Sequence, residues 1–286
     1  MQVFFPQVLQ IWSEEAVIRV EAVVGPYKLY DSSLKTLKGM NWLSDEVIDS
    51  YLHILAEEQK DHIFVLSSVV STSLFNGQFR CVRKMIIPNR DLWLCPYNTG
   101  GHWILVIVKM SGKALLVIDP LSNEQRYSRR ILRNWRNFLR MREHQSSSAS
   151  WTVETLGHEL QVNGSSCGVL ILKFVEEYLQ SGSIFDVKTD PASVQAARLH
   201  IACKLIENGG SVEDYCIECN MINPDTDSDN VSMVQCDICL RWAHHDCLKS
   251  VPANGNLHLL EVQRIKKKRK KLSDNVFVCT CIGCLL

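Results

Sequence analysis

The sequence predicts an α+β fold in which helices flank a central, mostly antiparallel sheet, with a second, smaller domain near the carboxy-terminal end. Residues 103–108 and 114–118 are uninterrupted apolar runs of strand length joined by a short turn, so they indicate a buried antiparallel hairpin. The segment after Cys167 is apolar nearly all round and indicates a buried helix. Seven of the twelve cysteines stand in one array in the carboxy-terminal part, which indicates the second domain.

Length and composition fit a two-domain protein. The chain has 286 residues, and 46% hydrophobic with 22% charged residues is ordinary for a soluble globular protein. We expect an N-terminal extension over residues 1–23, a first domain over residues 24–207, a linker over residues 208–212 and a second domain over residues 213–286. The linker is placed where Asn208-Gly-Gly breaks a helix. No segment is predicted to span a membrane.

Basic residues are concentrated in two segments, although the formal net charge is zero. Seven arginines lie within residues 126–142, among apolar residues at helical spacing: Ile131, Leu132, Trp135, Phe138 and Leu139. The arginines are therefore expected on the solvated side of an amphipathic helix. The run over residues 264–271 is interpreted as a nuclear localisation signal or a phosphate contact, with surface solubility as the alternative. Direct nucleic-acid binding is left open.

Cys167 occupies the start of the predicted apolar helix. Asn163-Gly164 supplies a turn before it, and the helix is expected to end near Gly182. Free backbone N–H groups and the positive end of the helix dipole stabilise a thiolate at such a position, and the thiolate is the attacking species of a cysteine nucleophile. The sequence therefore predicts a nucleophilic Cys167.

His102 is the candidate base, because an aspartate can be placed beside it from the hairpin. If the turn is centred between Met110 and Ser111, His102 lies directly opposite Asp119, and a register shifted by one still leaves the two residues neighbours. Gln161 precedes the cysteine by a short interval and could place its amide as an oxyanion donor. Taken singly, a buried cysteine and a histidine beside a strand are more often structural, but the combination predicts a catalytic site.

Four segments in a fixed order extend this pattern: Trp42-Leu-Ser-Asp-Glu-Val-Ile48, His102-Trp103, Asp119, and Gln161 followed by Asn163-Gly-Ser-Ser-Cys-Gly168. They resemble the ubiquitin-like-protein-specific cysteine proteases, the family of SUMO-deconjugating enzymes. The resemblance covers residues 24–206. It implies a papain-like cysteine protease domain over residues 24–207.

The resemblance implies roles for four residues. Cys167 corresponds to the nucleophile, His102 to the general base and acid, Asp119 to the group that orients the imidazole, and Gln161 to the oxyanion donor. The bond cleaved would follow the Gly-Gly terminus of a ubiquitin-like modifier.

Three further residues correspond to substrate contacts in that family. Trp42 and Trp103 match an aromatic clamp around the Gly-Gly tail, and the alternative is that both are core aromatics. Asp45 matches a position that contacts the globular body of the modifier. Its alternative role is local, since Ser44 could cap the following helix and Asp45 would then complement the helix dipole.

The carboxy-terminal array has the residue types and spacing of zinc sites. Its members are Cys216, Cys219, Cys236, Cys239, His244, Cys247, Cys281 and Cys284. Eight thiolate and imidazole ligands are enough for two structural zinc ions in closed tetrahedral sites. Disulfides are not expected, because the first residues do not form a signal peptide and a reducing compartment is implied.

The order of these ligands, with Trp242 before His244, resembles a PHD-type zinc finger over residues 213–286. That resemblance implies interleaved ligands. One zinc would take Cys216, Cys219, His244 and Cys247, and the other would take Cys236, Cys239, Cys281 and Cys284. Tyr215, Met233 and Trp242 match positions of a methyl-lysine cage, which implies a histone tail as a partner. The alternative is that Trp242 packs against the zinc core.

The leading functional hypothesis is a cysteine protease or isopeptidase that acts on a ubiquitin-like modifier or its conjugates and is targeted to chromatin by the finger. The alternatives are a transposon-derived protease with its own protein substrate and a catalytically inactive chromatin-binding adaptor. Zinc is the expected cofactor, and catalysis needs none. A nuclear location is expected, and otherwise a cytoplasmic one.

Overall fold

The computed structural model describes the elements of the first domain and parts of the second. The described residues are 4–16, 18–59, 62–142, 150–212, 215–221, 233–235, 241–248 and 263–264. The helices in these residues are α1 (Phe5–Ser13), α2 (Asp31–Lys35), α3 (Asp45–Glu58), α4 (Ser68–Phe75), α5 (Glu124–Met141), α6 (Cys167–Ser181), α7 (Pro191–Glu207) and α8 (His245–Leu248). The strands are β1 (Val20–Val24), β2 (Tyr27–Tyr30), β3 (Ile63–Val65), β4 (Leu92–Asn98), β5 (Trp103–Lys109), β6 (Ala114–Ile118), β7 (Thr152–Glu154), β8 (Met233–Gln235), β9 (Trp242–His244) and β10 (Gln263–Arg264).

The central sheet is mixed, so the prediction of a mostly antiparallel sheet is wrong at its edges. Its strand order is β3-β4-β5-β6-β7. The β4–β5 and β5–β6 pairs are antiparallel, whereas β3–β4 and β6–β7 are parallel. A helix, α4 or α5, lies between the two strands of each parallel pair, and such a crossover returns the chain in the same direction.

The predicted hairpin is present, but its register differs from the predicted one. Lys109 pairs with Ala114 and Leu105 with Ile118, so the turn is centred between Ser111 and Gly112. Lys113 adopts a left-handed conformation with φ +49° and closes the four-residue connection. His102 therefore lies beyond the paired part of β5 and is not directly opposite Asp119.

The two faces of the sheet form two cores. One face packs against α3, α6 and α7, and its residues include Leu105, Ile107 and Ile118. The alternate residues of the same strands, such as Ile104 and Val106, face α4 and α5. The helix with Cys167 thus lies on the sheet face opposite to α5.

The predicted amphipathic helix corresponds to α5. Ile131, Trp135, Phe138 and Leu139 are buried on the second core, and Leu132 packs against it. The arginines at positions 126, 129, 133 and 140 are exposed, as expected for the solvated side.

The segment assigned to an N-terminal extension contributes to the first core. Val8, Ile11 and Trp12 of α1 are buried there together with Ala22 of β1. The domain boundaries remain predictions from the sequence. Among the described helices, none is both long and apolar enough to cross a lipid bilayer.

Candidate active site and metal cluster

Cys167 is the first residue of α6, as predicted, and its side chain is buried. The turn before it is organised by Asn163, whose Oδ1 accepts hydrogen bonds from the backbone N–H groups of Ser165 at 2.9 Å and Ser166 at 3.0 Å. The same oxygen accepts the hydroxyl of Ser166 at 2.7 Å. The thiol itself is hydrogen-bonded by the backbone N–H of Gly168 at the start of α6, where a thiolate is stabilised.

His102 and Asp119 are in direct contact despite the shifted register. His102 Nε2 lies 2.6 Å from Asp119 Oδ1, and that oxygen also accepts the backbone N–H of Leu121 at 2.9 Å. Asp119 is fully buried. Because Nε2 is engaged by the carboxylate, Nδ1 is the ring nitrogen left for the hydrogen bond with Cys167.

The two groups favour a thiolate–imidazolium pair. Burial alone would lower the pKa of His102, but hydrogen bonds to Asp119 and Cys167 raise it to about 9. Burial alone would raise the pKa of Cys167, but the hydrogen bond to His102 and the N–H groups of Trp103 and Gly168 lower it below the ordinary thiol value. Both shifts act in the same direction, toward proton transfer from the Cys167 thiol to the His102 imidazole.

Asp119→Asn is expected to lower kcat/KM about a hundredfold or more, because a carboxamide holds the imidazolium less well than a carboxylate. The basic limb of the pH profile reports loss of the His102 proton, and the hydrogen bonds to Asp119 and Cys167 together raise the pKa of His102 to about 9. Without the carboxylate this limb should move to lower pH. Measurement of kcat/KM against pH tests the change, with the exposed Asp186→Asn as the matched control. A basic limb at its wild-type position would contradict the role of Asp119.

Gln161 is buried and lies beside the turn over residues 163–166, which is called the nucleophile turn below. Its backbone N–H donates to Pro120 O at 2.8 Å, and its side-chain Nε2 donates to Asn163 O. One hydrogen of the amide is thereby used to hold the side chain in place, and the second remains for another acceptor.

Trp42 lies at the surface beside the site, with 58% of its area exposed. Its Nε1 donates to Gly164 O at 2.9 Å, so the ring is fixed against the nucleophile turn. A β-carbon at Gly101 would lie 3.3 Å from the Trp42 ring, and φ at Gly101 is +105°. Glycine at this position therefore allows the ring to lie directly against the chain that leads into His102.

Trp103 is a core residue in this structure. It is 3% exposed, and its Nε1 donates to Leu43 O at 3.4 Å. A β-carbon at Gly168 would come within 3.1 Å of Leu43 and 3.2 Å of the Trp103 ring. A side chain larger than hydrogen directly after Cys167 would therefore displace Trp103 or Leu43.

Asp45 is exposed at the first position of α3, so it is free to meet a partner. Ser44 holds the N-cap position, but its side chain forms no capping hydrogen bond. The alternative in which Ser44 caps the helix through its hydroxyl is therefore wrong.

Two residues behind Asp119 were not singled out by the sequence. Glu124 Oε1 accepts the backbone N–H of Asp119 at 3.2 Å and lies 3.4 Å from His158 Nε2. Burial would raise the pKa of Glu124, but the hydrogen bond to His158 holds it below its usual value. The pair supports the segment that presents Asp119, and neither residue belongs to a motif that could have identified it.

Four of the eight predicted zinc ligands come together. The ligand atoms of Cys216, Cys219, His244 and Cys247 all lie within 4.8 Å of one another. His244 Nδ1 is 3.4 Å from Cys219 Sγ and 3.6 Å from Cys247 Sγ. Ligands of a tetrahedral zinc ion are separated by about 3.5 Å, so these residues fit one zinc ion. They are the first set that the interleaved arrangement predicts.

The second predicted set, Cys236, Cys239, Cys281 and Cys284, lies outside the described residues, and so do the side chains of the basic run over residues 264–271. The described part of the finger forms a three-stranded sheet in the order β10-β8-β9, with α8 after β9. The described residues therefore contain one group of ligands that could hold a metal ion, and two zinc ions remain a prediction.

Residues beside the four possible metal ligands contact β1 and β2 of the first domain. Asn220, next to Cys219, accepts the backbone N–H of Val20 through Oδ1 at 3.0 Å. Arg241 Nη2 donates to Val20 O at 2.8 Å, and Lys28 Nζ donates to Asn220 O at 3.1 Å. These three hydrogen bonds connect the first domain to the residues beside the predicted metal site.

The residues of the predicted methyl-lysine cage are largely covered. Tyr215 and Met233 are buried, and Trp242 is half-buried. Lys28 Nζ lies 4.7 Å from the centroid of the Tyr215 ring, so an ammonium of this chain already occupies that ring face. The cage remains a prediction from the sequence, without support from the described contacts.

An α+β fold that brings a thiol, an imidazole and a carboxylate together is typical of cysteine proteases. Residues 41–208, more than half of the chain, match the model of the Ulp1 protease family, C-terminal catalytic domain. The chain therefore belongs to the Ulp1 protease family.

Similar curated proteins are sentrin-specific proteases. The Homo sapiens sentrin-specific protease 2 is 26% identical over 159 residues, which cover 50% of this chain and 26% of that protein. The Caenorhabditis elegans sentrin-specific protease is 28% identical over 156 residues, which cover 50% of this chain and 22% of that protein. The match thus spans about a quarter of the length of these relatives.

Solved structures share the fold. The Ulp1 protease domain in complex with Smt3, the yeast ortholog of SUMO, has a TM-score of 0.63 at 21% identity and covers 73% of this chain and 96% of that one. The Chaetomium thermophilum Ulp1-like SUMO protease catalytic domain has a TM-score of 0.56 at 18% identity and covers 73% and 90%.

Proposed function

We propose that this protein is a thiol isopeptidase or endopeptidase that hydrolyses the bond after the Gly-Gly terminus of a ubiquitin-like modifier. The observation that carries the proposal is the arrangement of three side chains: the Cys167 thiol at the start of α6 is hydrogen-bonded to the His102 imidazole, which is held by the buried Asp119. A domain that only binds has no physical need of this trio, which favours an enzyme over the inactive adaptor.

The chemistry is acyl transfer in two steps. The Cys167 thiolate attacks the carbonyl carbon of the terminal glycine, and the resulting oxyanion is stabilised by backbone N–H groups and by the remaining amide hydrogen of Gln161. His102 gives its proton to the departing amine as the carbon–nitrogen bond breaks, leaving a thioester. His102 then takes a proton from water, which attacks the thioester and restores the thiolate.

The entrance to the site favours a tail without side chains. The exposed Trp42 ring lies over Gly101 at the surface of the site, and the buried Trp103 ring packs on Gly168 behind it. Both rings are fixed by hydrogen bonds to backbone carbonyls, so the walls are rigid. The relatives named sentrin-specific proteases and the Ulp1 structure bound to Smt3 support a modifier of the SUMO class.

The proposal is tested by a panel of ubiquitin-like proteins that carry a carboxy-terminal electrophile. We expect one modifier, or one small group, to form a covalent adduct at Cys167, located by mass spectrometry. The exposed thiol of Cys81 is the internal control for unselective alkylation. Adducts with no member of the panel would support the adaptor or a protease with its own substrate, and equal labelling of Cys81 would mean that recognition is absent.

The aromatic clamp makes a separate prediction. Trp42→Ala should lower kcat/KM on a Gly-Gly substrate about thirtyfold, as expected when a contact worth about 2 kcal/mol is lost. The unfolding temperature should change little, because Trp42 is mostly exposed. Ile86→Ala, another exposed apolar residue, is the matched control and should leave both quantities unchanged.

The entrance beside Trp42 should reject a substrate whose tail ends in Ala-Ala, since the added methyl groups would meet the Trp42 indole ring. Steady-state assays on matched Gly-Gly and Ala-Ala substrates measure this selectivity. Comparable hydrolysis of both tails would exclude a glycine-specific entrance.

A further inference from the structure

Arg198 of α7 is a buried cation next to the active site. It is 1% exposed, because it stands on the helix face that also buries Val194 and Ile201. Its guanidinium donates to three backbone carbonyls: Nη1 to Thr36 O at 3.1 Å, and Nη2 to Asn41 O at 2.9 Å and Ser165 O at 3.1 Å. Among the described residues, no carboxylate forms an ion pair with it.

A buried guanidinium without a counter-charge is unfavourable, because carbonyl oxygens satisfy its N–H groups but do not neutralise its charge. Burial lowers the pKa of Arg198, and the negative charge of Cys167 opposes this effect. The hydrogen bond from Nη2 to Ser165 O also places the guanidinium two residues along the chain from Cys167, where its positive charge lies near the thiol.

The three carbonyls belong to two separate segments that form the walls of the site. Thr36 and Asn41 lie in the connection from α2 to α3, which also presents Trp42 and Leu43. Ser165 lies in the turn before Cys167. Outside, the Trp42 indole joins the same two segments through Gly164 O. In the protein interior, the hydrogen bonds of Arg198 also join these two segments.

We infer that Arg198 is a positioning residue that holds the segment with Trp42 against the turn before Cys167 and places a fixed positive charge on the same side as the thiol. This inference rests on the proposed function only for the choice of substrate. The charge and the link can be separated experimentally, because methionine removes both and lysine keeps the charge.

The charge is tested by the reaction of Cys167 with iodoacetamide as a function of pH, followed on the Cys167 peptide by mass spectrometry. In Arg198→Met the alkylation rate at about pH 6 should fall about tenfold, because loss of a nearby opposite charge favours the neutral thiol. In Arg198→Lys the rate should stay within about twofold of the wild type, since the cation is retained.

The link is tested by steady-state kinetics on the modifier that labels Cys167. A lysine ammonium cannot reach carbonyls on both segments in the way a planar guanidinium does. Arg198→Lys should therefore raise KM about tenfold with little change in kcat, as a displaced Trp42 weakens binding of the tail.

Lys204→Met is the matched control on the same helix. Lys204 Nζ pairs with Glu58 Oε1 at 2.9 Å, away from the nucleophile turn. Removing this positive charge should change neither the alkylation profile nor KM.

An alkylation profile of Arg198→Met that superimposes on the wild-type profile would overturn the electrostatic role, and a wild-type KM for Arg198→Lys would overturn the link. If Arg198→Met does not fold, alkylation of Arg198→Lys decides instead, and a tenfold loss there would contradict the retained charge. Failure of the wild type to cleave any modifier, with the alkylation shift intact, would reject the proposed substrate and leave Arg198 as the partner of the thiolate.

Discussion

Cys167→Ala is expected to abolish hydrolysis, with kcat reduced on the order of 10⁴-fold or more, while the protein stays folded. The attacking sulfur is lost, and no neighbouring group can form the thioester. The cost to the free energy of unfolding should be on the order of 1 kcal/mol, because the substitution removes one buried atom. Activity on the modifier identified by adduct formation and thermal unfolding measure the two effects.

Cys203→Ala is the matched control for that variant. Cys203 is also a buried thiol in the first core, on α7, so both variants lose one sulfur atom from the same core. It should retain full activity. Turnover by Cys167→Ala at the wild-type rate would reject the nucleophile, and equal inactivation by Cys203→Ala would point to loss of packing.

Loss of the metal is the second large effect that we expect. Cys216→Ser should reduce the zinc content by about one ion per chain, because it removes one of four ligands that already lie at tetrahedral spacing. A structural zinc ion contributes on the order of 10 kcal/mol at neutral pH, which a small finger cannot replace by its own core. Metal analysis and circular dichroism of the whole chain measure the loss. Cys81→Ser should keep all of the zinc.

Loss of the metal should also destabilise the first domain, because residues beside the metal ligands form hydrogen bonds with β1. Val20 of β1 exchanges hydrogen bonds with Asn220 and Arg241, so their loss leaves both of its backbone groups without these partners. We therefore expect chelation to lower the unfolding temperature of the protease domain as well. An unchanged transition would instead support a finger that folds independently of the protease domain. Zinc content that survives Cys216→Ser would contradict the ligand set.

Local patterns were sufficient for several elements of this protein. The two apolar runs predicted β5 and β6, the turn before Cys167 predicted the start of α6, and Gly182 marked its end with φ +74°. The spacing of apolar residues predicted α5. These features depend on neighbours a few residues apart, whose periodicity and turn propensity are recorded directly in the sequence.

The register of the hairpin and the edges of the sheet needed the structure. Which residue of the turn adopts the left-handed conformation was not evident, and Lys113 does so where Gly112 was available. The edge strands β3 and β7 are three residues long and pair in parallel across helical connections. Such pairings depend on contacts between distant segments, for which short strands provide little periodic signal.

The sequence by itself determined the order His102, Asp119 and Cys167 and four ligands of one metal cluster, because residue type and spacing specify the chemistry of a nucleophile or a zinc site. In the sequence, Arg198 is recognisable only as a charged residue on an otherwise apolar helix face. Only the tertiary structure decided that its three hydrogen bonds join the two walls of the active site. A buried charge must find partners wherever folding places them, so its role becomes evident only when distant backbone carbonyls converge on it.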